Sequence, residues 1–130
     1  MFKHILVPTD GSVLSKEAAR HAVIFAKETG ARVTAFYARQ GNSEEKTEEI
    51  LGFVRNLCEE EGVYCRKLSW PSDFPYKVIV GAAEALGCDL IIMASRSRKG
   101  LDGFLLGSET QNVLTHSTVP VLVLRSLYSV

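Results

Sequence analysis

The sequence has few residues that could cross-link the chain. Only three of its 130 residues are cysteines, Cys58, Cys65 and Cys88, and no two of them form a CxxC pair. An odd number of cysteines without that spacing is typical of neither a disulfide framework nor a zinc site. We therefore expect reduced cysteines that act as small apolar residues in a cytoplasmic protein.

Long apolar runs and an excess of charge of one sign are also missing. No stretch approaches the roughly 20 apolar residues of a membrane helix, and Pro8 and Asp10 interrupt the N-terminal apolar run, unlike in a signal peptide. Lysine plus arginine equal aspartate plus glutamate at 15 each, so net charge favours neither nucleic acid nor an anionic membrane as a partner. The sequence predicts one soluble, intracellular domain over 1–130.

Strand-like and helix-like segments alternate along the whole chain. Short apolar runs predict strands at 4–8, 31–38, 63–70, 89–95 and 119–125, with the third at a sheet edge and the fourth in the centre. Apolar residues at helical spacing lie between the strands. The residues expected to cap or begin the helices, or to end them, are Ser12, Gly30, Asn42 or Ser43, Gly62, Pro75, Gly87 and Ser108.

Strands joined by helices run parallel, with right-handed crossovers. The pattern therefore predicts an α/β fold, an open doubly wound sheet with helices on both faces. Ligands of such sheets bind beyond the carboxyl ends of the strands. Asp10 follows the first strand there, and two interpretations are open for it. It caps the next helix or closes a turn with Gly11, or it accepts a ribose hydroxyl or binds a cation such as Mg²⁺.

The segment MASRSRKGLDGFLLGS, residues 93–108, combines positive charge with glycine. Arg96, Arg98 and Lys99 precede Gly107 and Ser108 at a predicted helix start. The N-terminus of a helix offers N–H groups and about half a positive charge to an anion. The GxxxxGK[ST] and GxGxxG spacings are absent. The segment is therefore either a phosphate cradle or a solvated, flexible basic loop.

Three stretches, ILVPTDGS, DLIIMASRSRKGL and LLGSETQNVLTHSTVPVLVLR, together with the order of the elements, resemble the universal stress protein family. The resemblance covers nearly the whole chain and is weakest over residues 39–70. It implies five parallel strands in the order 3-2-1-4-5. It also implies a homodimer that pairs through the last strand, with Val119, Val121, Val123 and Arg125 at the interface.

One branch of that family binds ATP or a related adenine nucleotide through the motif G-x2-G-x9-G-[ST], and another branch does not. The matching positions are Ala94, Ser97, Gly107 and Ser108, so both leading glycines are replaced. Alanine is accommodated where φ is negative, whereas serine costs on the order of 1 kcal/mol where φ is left-handed. The nucleotide-binding residues that the resemblance implies are Pro8, Thr9, Asp10, Ala38, Met93, Ala94, Arg96, Ser97, Gly107, Ser108, Glu109 and Thr110.

Four functions are compared for a protein with this sequence. The first is a regulatory module of the stress response that binds an adenine nucleotide, and the second is a dimeric scaffold that binds none. An enzyme is disfavoured beyond slow ATP hydrolysis, because Asp10 is the one candidate carboxylate for a metal and no general base is apparent. A receiver domain is rejected, because Trp70-Pro71 and Arg125-Ser126 stand where its aspartate and lysine belong.

Overall fold

A computed structural model describes residues 2–41, 43–95 and 106–125. Asn42, Arg96, Ser97 and the other residues of 96–105, for which the sequence makes predictions, lie outside the described residues, as do 126–130. Strands and helices alternate as expected: β1 His4–Pro8, α1 Val13–Thr29, β2 Arg32–Arg39, α2 Glu44–Glu61, β3 Cys65–Pro71, α3 Pro75–Leu86, β4 Leu90–Ser95, α4 Ser108–His116 and β5 Val121–Arg125.

The five strands form one parallel sheet in the order β3-β2-β1-β4-β5. The predicted fold class and strand order are confirmed. The third strand lies at an edge, and the fourth lies between β1 and β5, as its apolar run indicates. The order reverses beside β1, so the carboxyl ends of β1 and β4 border the crevice where ligands of doubly wound sheets bind.

The core consists of two layers, one on each face of the sheet. Small and aliphatic side chains of α1 and α2 cover one face, and α3 and α4 cover the other. Successive strand residues point to opposite faces, so Ile5 and Val7 pack in the first layer and Leu6 packs in the second. Because both faces are covered, all five residues of β1 are buried.

Serines and glycines bound the helices largely as predicted. The Ser12 hydroxyl accepts the N–H of Ser15 at 3.2 Å, and Ser43 caps α2 in the same way. Gly30, Gly62 and Gly87 end α1, α2 and α3 with positive φ, a conformation that side chains disfavour.

The prediction that Ser108 caps the last helix is wrong. Gly107 is the N-cap, with extended backbone at φ −61° and ψ 153°, and Ser108 is the first helical residue. The Gly107 carbonyl accepts the N–H of Gln111 at 3.0 Å, so the hydrogen-bonded turn starts one residue earlier. No side chain caps this helix.

Two strands begin two residues later than predicted. Val63 donates its N–H to the Cys58 carbonyl at 2.8 Å and so belongs to the end of α2. Val119 forms a turn with the Ser117 hydroxyl, which accepts its N–H at 3.1 Å, and β5 starts at Val121. Over the described ranges, none of the helices combines the length and apolarity that a membrane crossing requires.

Candidate functional site

A cavity of about 540 Å³ opens where the carboxyl ends of β1, β2 and β4 meet the first turns of α1, α3 and α4. That volume lies within the range of small-molecule pockets. Its wall is apolar on one part and polar on another. The lining residues are Pro8, Thr9, Asp10, Ser12, Leu14, Ser15, Phe36, Tyr37, Ala38, Gln40, Lys46, Pro75, Ile79, Met93, Ala94, Gly107, Ser108, Glu109 and Thr110.

Ten of the twelve residues implied by the family resemblance line this one cavity, and Arg96 and Ser97 lie outside the described residues. The ten come from four separate segments of the chain, and the parallel sheet brings them together. Nine further lining residues were not predicted. Most of these contribute to the first helix, the β2 end or the α3 start, and Lys46 reaches the cavity from α2.

Lys46 lies in the part of the chain with least family signal. In the sequence it is one lysine on a charged helix face, and no spacing distinguishes it from its neighbours. The contact depends on how α2 docks against the end of β2, which local periodicity does not specify. It is the only lysine or arginine among the described residues that line the cavity.

The turn after β1 is held by its own hydroxyl and carboxylate groups. Thr9 donates its N–H to the Phe36 carbonyl at 2.8 Å and its hydroxyl to the Ser15 hydroxyl at 3.1 Å. One carboxylate oxygen of Asp10 accepts the N–H of Ser12 at 2.9 Å. The turn-closing interpretation of Asp10 therefore applies to this oxygen, while the residue also lines the cavity and is exposed.

Gly11 is required in this turn for two reasons. Its φ is +81°, in the left-handed region, and a Cβ there would lie 3.0 Å from Cγ1 of Ile50 on α2. A side chain would therefore strain the backbone and crowd the Ile50 side chain of α2. The glycine lets α2 pack directly over the turn that presents Asp10.

Side chains of β4 and α4 bind each other's backbone at the opposite wall. The Ser95 hydroxyl accepts the N–H of Gly107 at 3.1 Å, and the Thr110 hydroxyl donates to the Ala94 carbonyl at 3.5 Å. Among the described residues only glycines have positive φ, so position 94 does not need a glycine for its backbone. Alanine in the first motif position is therefore compatible with this conformation.

The N-terminus of α4 differs from those of α1 and α2. Serine hydroxyls bind first-turn amides in α1 and α2, whereas α4 has Gly107 at its N-cap and no side-chain cap. The first N–H groups of a helix have no intrahelical partner. Because Gly107, Ser108, Glu109 and Thr110 all line the cavity, this end of the helix presents amide donors and partial positive charge to it.

Glu109 is oriented towards α3. One of its carboxylate oxygens accepts the N–H of Tyr76 at 2.9 Å, which satisfies a first-turn amide of a helix whose N-cap, Phe74, makes no side-chain cap bond. The charged side chains on the described lining are Asp10, Glu109 and Lys46. Positive potential for an anion therefore comes from Lys46 and the α4 amides.

Trp70, His21 and His116 do not line the cavity. Trp70 meets Phe36 edge to face with centroids 5.6 Å apart and packs against the α3 layer of the core. His116 stacks on Tyr76 at 5.1 Å, and His21 is exposed on α1. In the described ranges, no three or more His, Cys, Asp or Glu side chains are grouped so as to hold a metal ion.

Comparison with known proteins gives this site a context. The profile of the universal stress protein family matches residues 1–52 and 39–125. The chain belongs to the universal stress protein family. The resemblance of its motifs to that family is confirmed.

Relatives in the family share both sequence and fold with this universal stress protein. Universal stress protein MJ0531 of Methanocaldococcus jannaschii is 35% identical over 142 residues, which cover 96% of this chain and 83% of that protein. The solved structure of MJ0577 from the same organism superposes with a TM-score of 0.79 at 27% identity and covers 99% of both chains. The universal stress protein of Archaeoglobus fulgidus in complex with dAMP has a TM-score of 0.73 at 19% identity, covering 95% of this chain and 97% of that one.

Proposed function

We propose that this universal stress protein binds an adenine nucleotide in the 540 Å³ cavity and acts as a regulatory module of the stress response in the cytoplasm. The observation that carries the proposal is the α4 N-terminus, which has no side-chain cap and opens into a cavity shared with Asp10. An anion at that end would receive amide hydrogen bonds and a favourable helix dipole. The dAMP bound to the Archaeoglobus fulgidus relative supports an adenine nucleotide as the ligand class.

Each part of an adenine nucleotide is proposed to contact a different part of the wall. Leu14, Ala38 and Met93 belong to its apolar part, which suits a base. Asp10, which lines the cavity beside the first turn of α1, is proposed to accept a ribose hydroxyl. The phosphate would lie at Gly107 and Ser108, and Arg96 and Ser97 are proposed to complete that end.

The bound nucleotide would act by selecting a conformation, as a regulator does, and would turn over slowly at most. The described lining has two carboxylates, and one oxygen of each already accepts a backbone N–H. This disfavours a dedicated catalytic base. Mg²⁺, where present, would bind mainly through phosphate oxygens, as is usual for nucleotide-bound magnesium. Ligand binding shifts the population of states by its differential affinity for them.

Release of bound small molecules tests the ligand. The purified protein is denatured and the released molecules are identified by mass spectrometry, and its thermal unfolding is then titrated with ATP, ADP and AMP. A ligand at a hundredfold excess over its Kd stabilises the native state by about 2.7 kcal/mol. A parallel titration with GTP controls for general polyphosphate binding. If nothing is released and none of the adenine nucleotides moves the melting curve, the scaffold function replaces this one.

We also propose a homodimer that pairs through β5. Among the described strands β5 pairs on one side alone, with β4, and an edge strand presents unpaired backbone groups to a second chain. Val119, Val121 and Val123 are half-buried, whereas Leu122 is 42% exposed. Leu122→Lys should shift sedimentation towards monomer. Ile24→Lys, at an exposed apolar position of α1, should leave it unchanged. Equal profiles for both variants and the wild type would contradict this interface.

A further inference from the structure

Two of the three cysteines lie against each other at the end of α2. Cys58 is in the last turn of α2 and is fully buried, and Cys65 is the first residue of β3 and is half-buried. Cys65 packs against the core cluster that contains Cys58, its thiol donates to the Arg66 carbonyl at 3.7 Å, and each thiol lies near enough to shift the pKa of the other. This pair is far from the cavity along α2, and none of the functions above uses it.

The turn between the two cysteines is already closed by backbone hydrogen bonds. Val63 donates its N–H to the Cys58 carbonyl at 2.8 Å, and Gly62 donates to Glu59 at 3.3 Å. Gly62 supplies the left-handed conformation that reverses the chain. The backbone between Cys58 and Cys65 is therefore held in a fixed turn.

Their surroundings make the two thiols unequal. Interaction with the Cys58 thiol lowers the pKa of Cys65 even though burial opposes this; the positive charges of Arg55 and Lys67 lower it further. Interaction with Cys65, followed by burial, raises the pKa of Cys58. The half-buried cysteine is thus the one inclined to be a thiolate, which is the nucleophilic form.

Cys88 provides an internal contrast. It is buried in the core layer on the opposite face of the sheet. Burial raises the pKa of Cys88 to about 11. A thiol in that setting is expected to be inert.

We propose that Cys58 and Cys65 form a peroxide-responsive dithiol, an oxidative modification site that joins α2 to β3. The Cys65 thiolate attacks a peroxide oxygen, the O–O bond breaks, and Cys65 becomes a sulfenic acid as hydroxide leaves. The Cys58 sulfur then attacks the sulfenic sulfur, an S–S bond forms, and the S–O bond breaks. The departing oxygen leaves as water after taking the Cys58 proton. Overall, two thiols and one hydrogen peroxide give one disulfide and two waters.

Peptide mapping tests the disulfide directly. The native protein is treated with hydrogen peroxide, alkylated and digested with trypsin, which releases both cysteines in the segment 56–66 between Arg55 and Arg66. A Glu-specific protease then cuts within Glu59–Glu61. The fragments carrying Cys58 and Cys65 should stay linked until dithiothreitol is added, and thiol titration of the denatured protein should find one of the three thiols remaining.

Two variants separate this chemistry from general oxidation. Cys58→Ala keeps a small apolar side chain in the core and should leave Cys65 as a sulfenic acid that dimedone traps. Cys88→Ala should form the linked fragments as the wild type does. The proposal is overturned if wild-type fragments separate without reductant, if Cys88 is oxidised first, or if the disulfide joins two chains on a non-reducing gel. Nucleotide release and nucleotide-dependent melting do not enter these readouts, so this inference and the proposed function fail separately.

Discussion

Replacing Gly107 by aspartate is the sharpest test of the proposed anion site. Gly107 is the N-cap of α4, with φ −61° and ψ 153°, a region open to any residue. Aspartate is also among the best N-cap residues, because its carboxylate accepts a first-turn N–H. The substitution should therefore leave the fold intact and stabilise it by about a few tenths of a kcal/mol, while placing a carboxylate where the phosphate is proposed to bind.

The expected loss of affinity combines two effects. A cap occupies an amide that would otherwise donate to the phosphate, and a hydrogen bond to a charged group contributes about 1.5–3 kcal/mol. Repulsion between two unit charges 4 Å apart near a protein surface is about 4 kcal/mol before screening by salt. Even a partial sum of about 3 kcal/mol raises Kd by more than about a hundredfold.

Calorimetric titration with ATP and AMP measures this change, and Gly107→Asn is the matched control. Asparagine caps equally well without the charge. The Gly107→Asn variant should therefore lose only the affinity that depends on the capped amide, and not the part lost to charge repulsion. A melting temperature at or above that of the wild type shows that the aspartate variant is folded. Wild-type affinity in a folded Gly107→Asp protein would refute the placement of the phosphate at α4.

Three further substitutions test other parts of the structure. Lys46→Gln removes the lysine from the described cavity lining and should raise the nucleotide Kd by up to about fivefold at low salt, since exposed ion pairs contribute about 0.2–1 kcal/mol. Lys3→Gln, at the opposite end of β1, should leave the Kd unchanged. Equal Kd values for the two variants would contradict the contact between Lys46 and the nucleotide. His4 is buried, and burial, followed by the charge of Arg32, lowers its pKa. His4 therefore binds a proton near pH 6.5 in the unfolded chain but only at lower pH in the folded chain. The free energy of unfolding should fall as pH drops below about 6.5, by up to about 1.4 kcal/mol per pH unit. His4→Gln should flatten this slope in denaturant titrations between about pH 6.5 and 5, and an unchanged slope would contradict it. Gly11→Ala should lower the free energy of unfolding by about 2–3 kcal/mol, and Gly30→Ala by about 1 kcal/mol, because both glycines have positive φ but only a Cβ at position 11 also contacts α2. Equal losses of unfolding free energy in chemical denaturation would show that this contact relaxes.

Local signals were sufficient for most of the fold. Strands and helix ends can be predicted from a few neighbouring residues, namely apolar runs of strand length and glycines such as Gly30 and Gly62. Helical crossovers then force the strands to be parallel. The predicted starts of two strands were wrong, because a hydrogen bond from the backbone outweighs the local apolar pattern there. Val63 and Val119 are apolar and β-branched, yet each donates its N–H to a nearby oxygen and lies outside the strand.

Some residues of the candidate site can be recognised in the sequence, and others cannot. The motif positions from Pro8 to Asp10 and around Gly107 are visible because they are short, contiguous stretches. Lys46 and Ile79 line the same cavity but lie on helix faces that look ordinary in sequence.

The sequence by itself determined the order of strands and helices along the chain and the turn residues that follow β1 and precede α4, because each depends on interactions within a few residues. It also determined that the strands are parallel, because helical crossovers connect them. Only the tertiary structure decided that Gly107 leaves α4 without a side-chain cap at the cavity. It also decided that Glu109 binds the start of α3 and that Cys58 meets Cys65. These depend on how helices dock across the sheet, and docking is set by the packing of many distant side chains together.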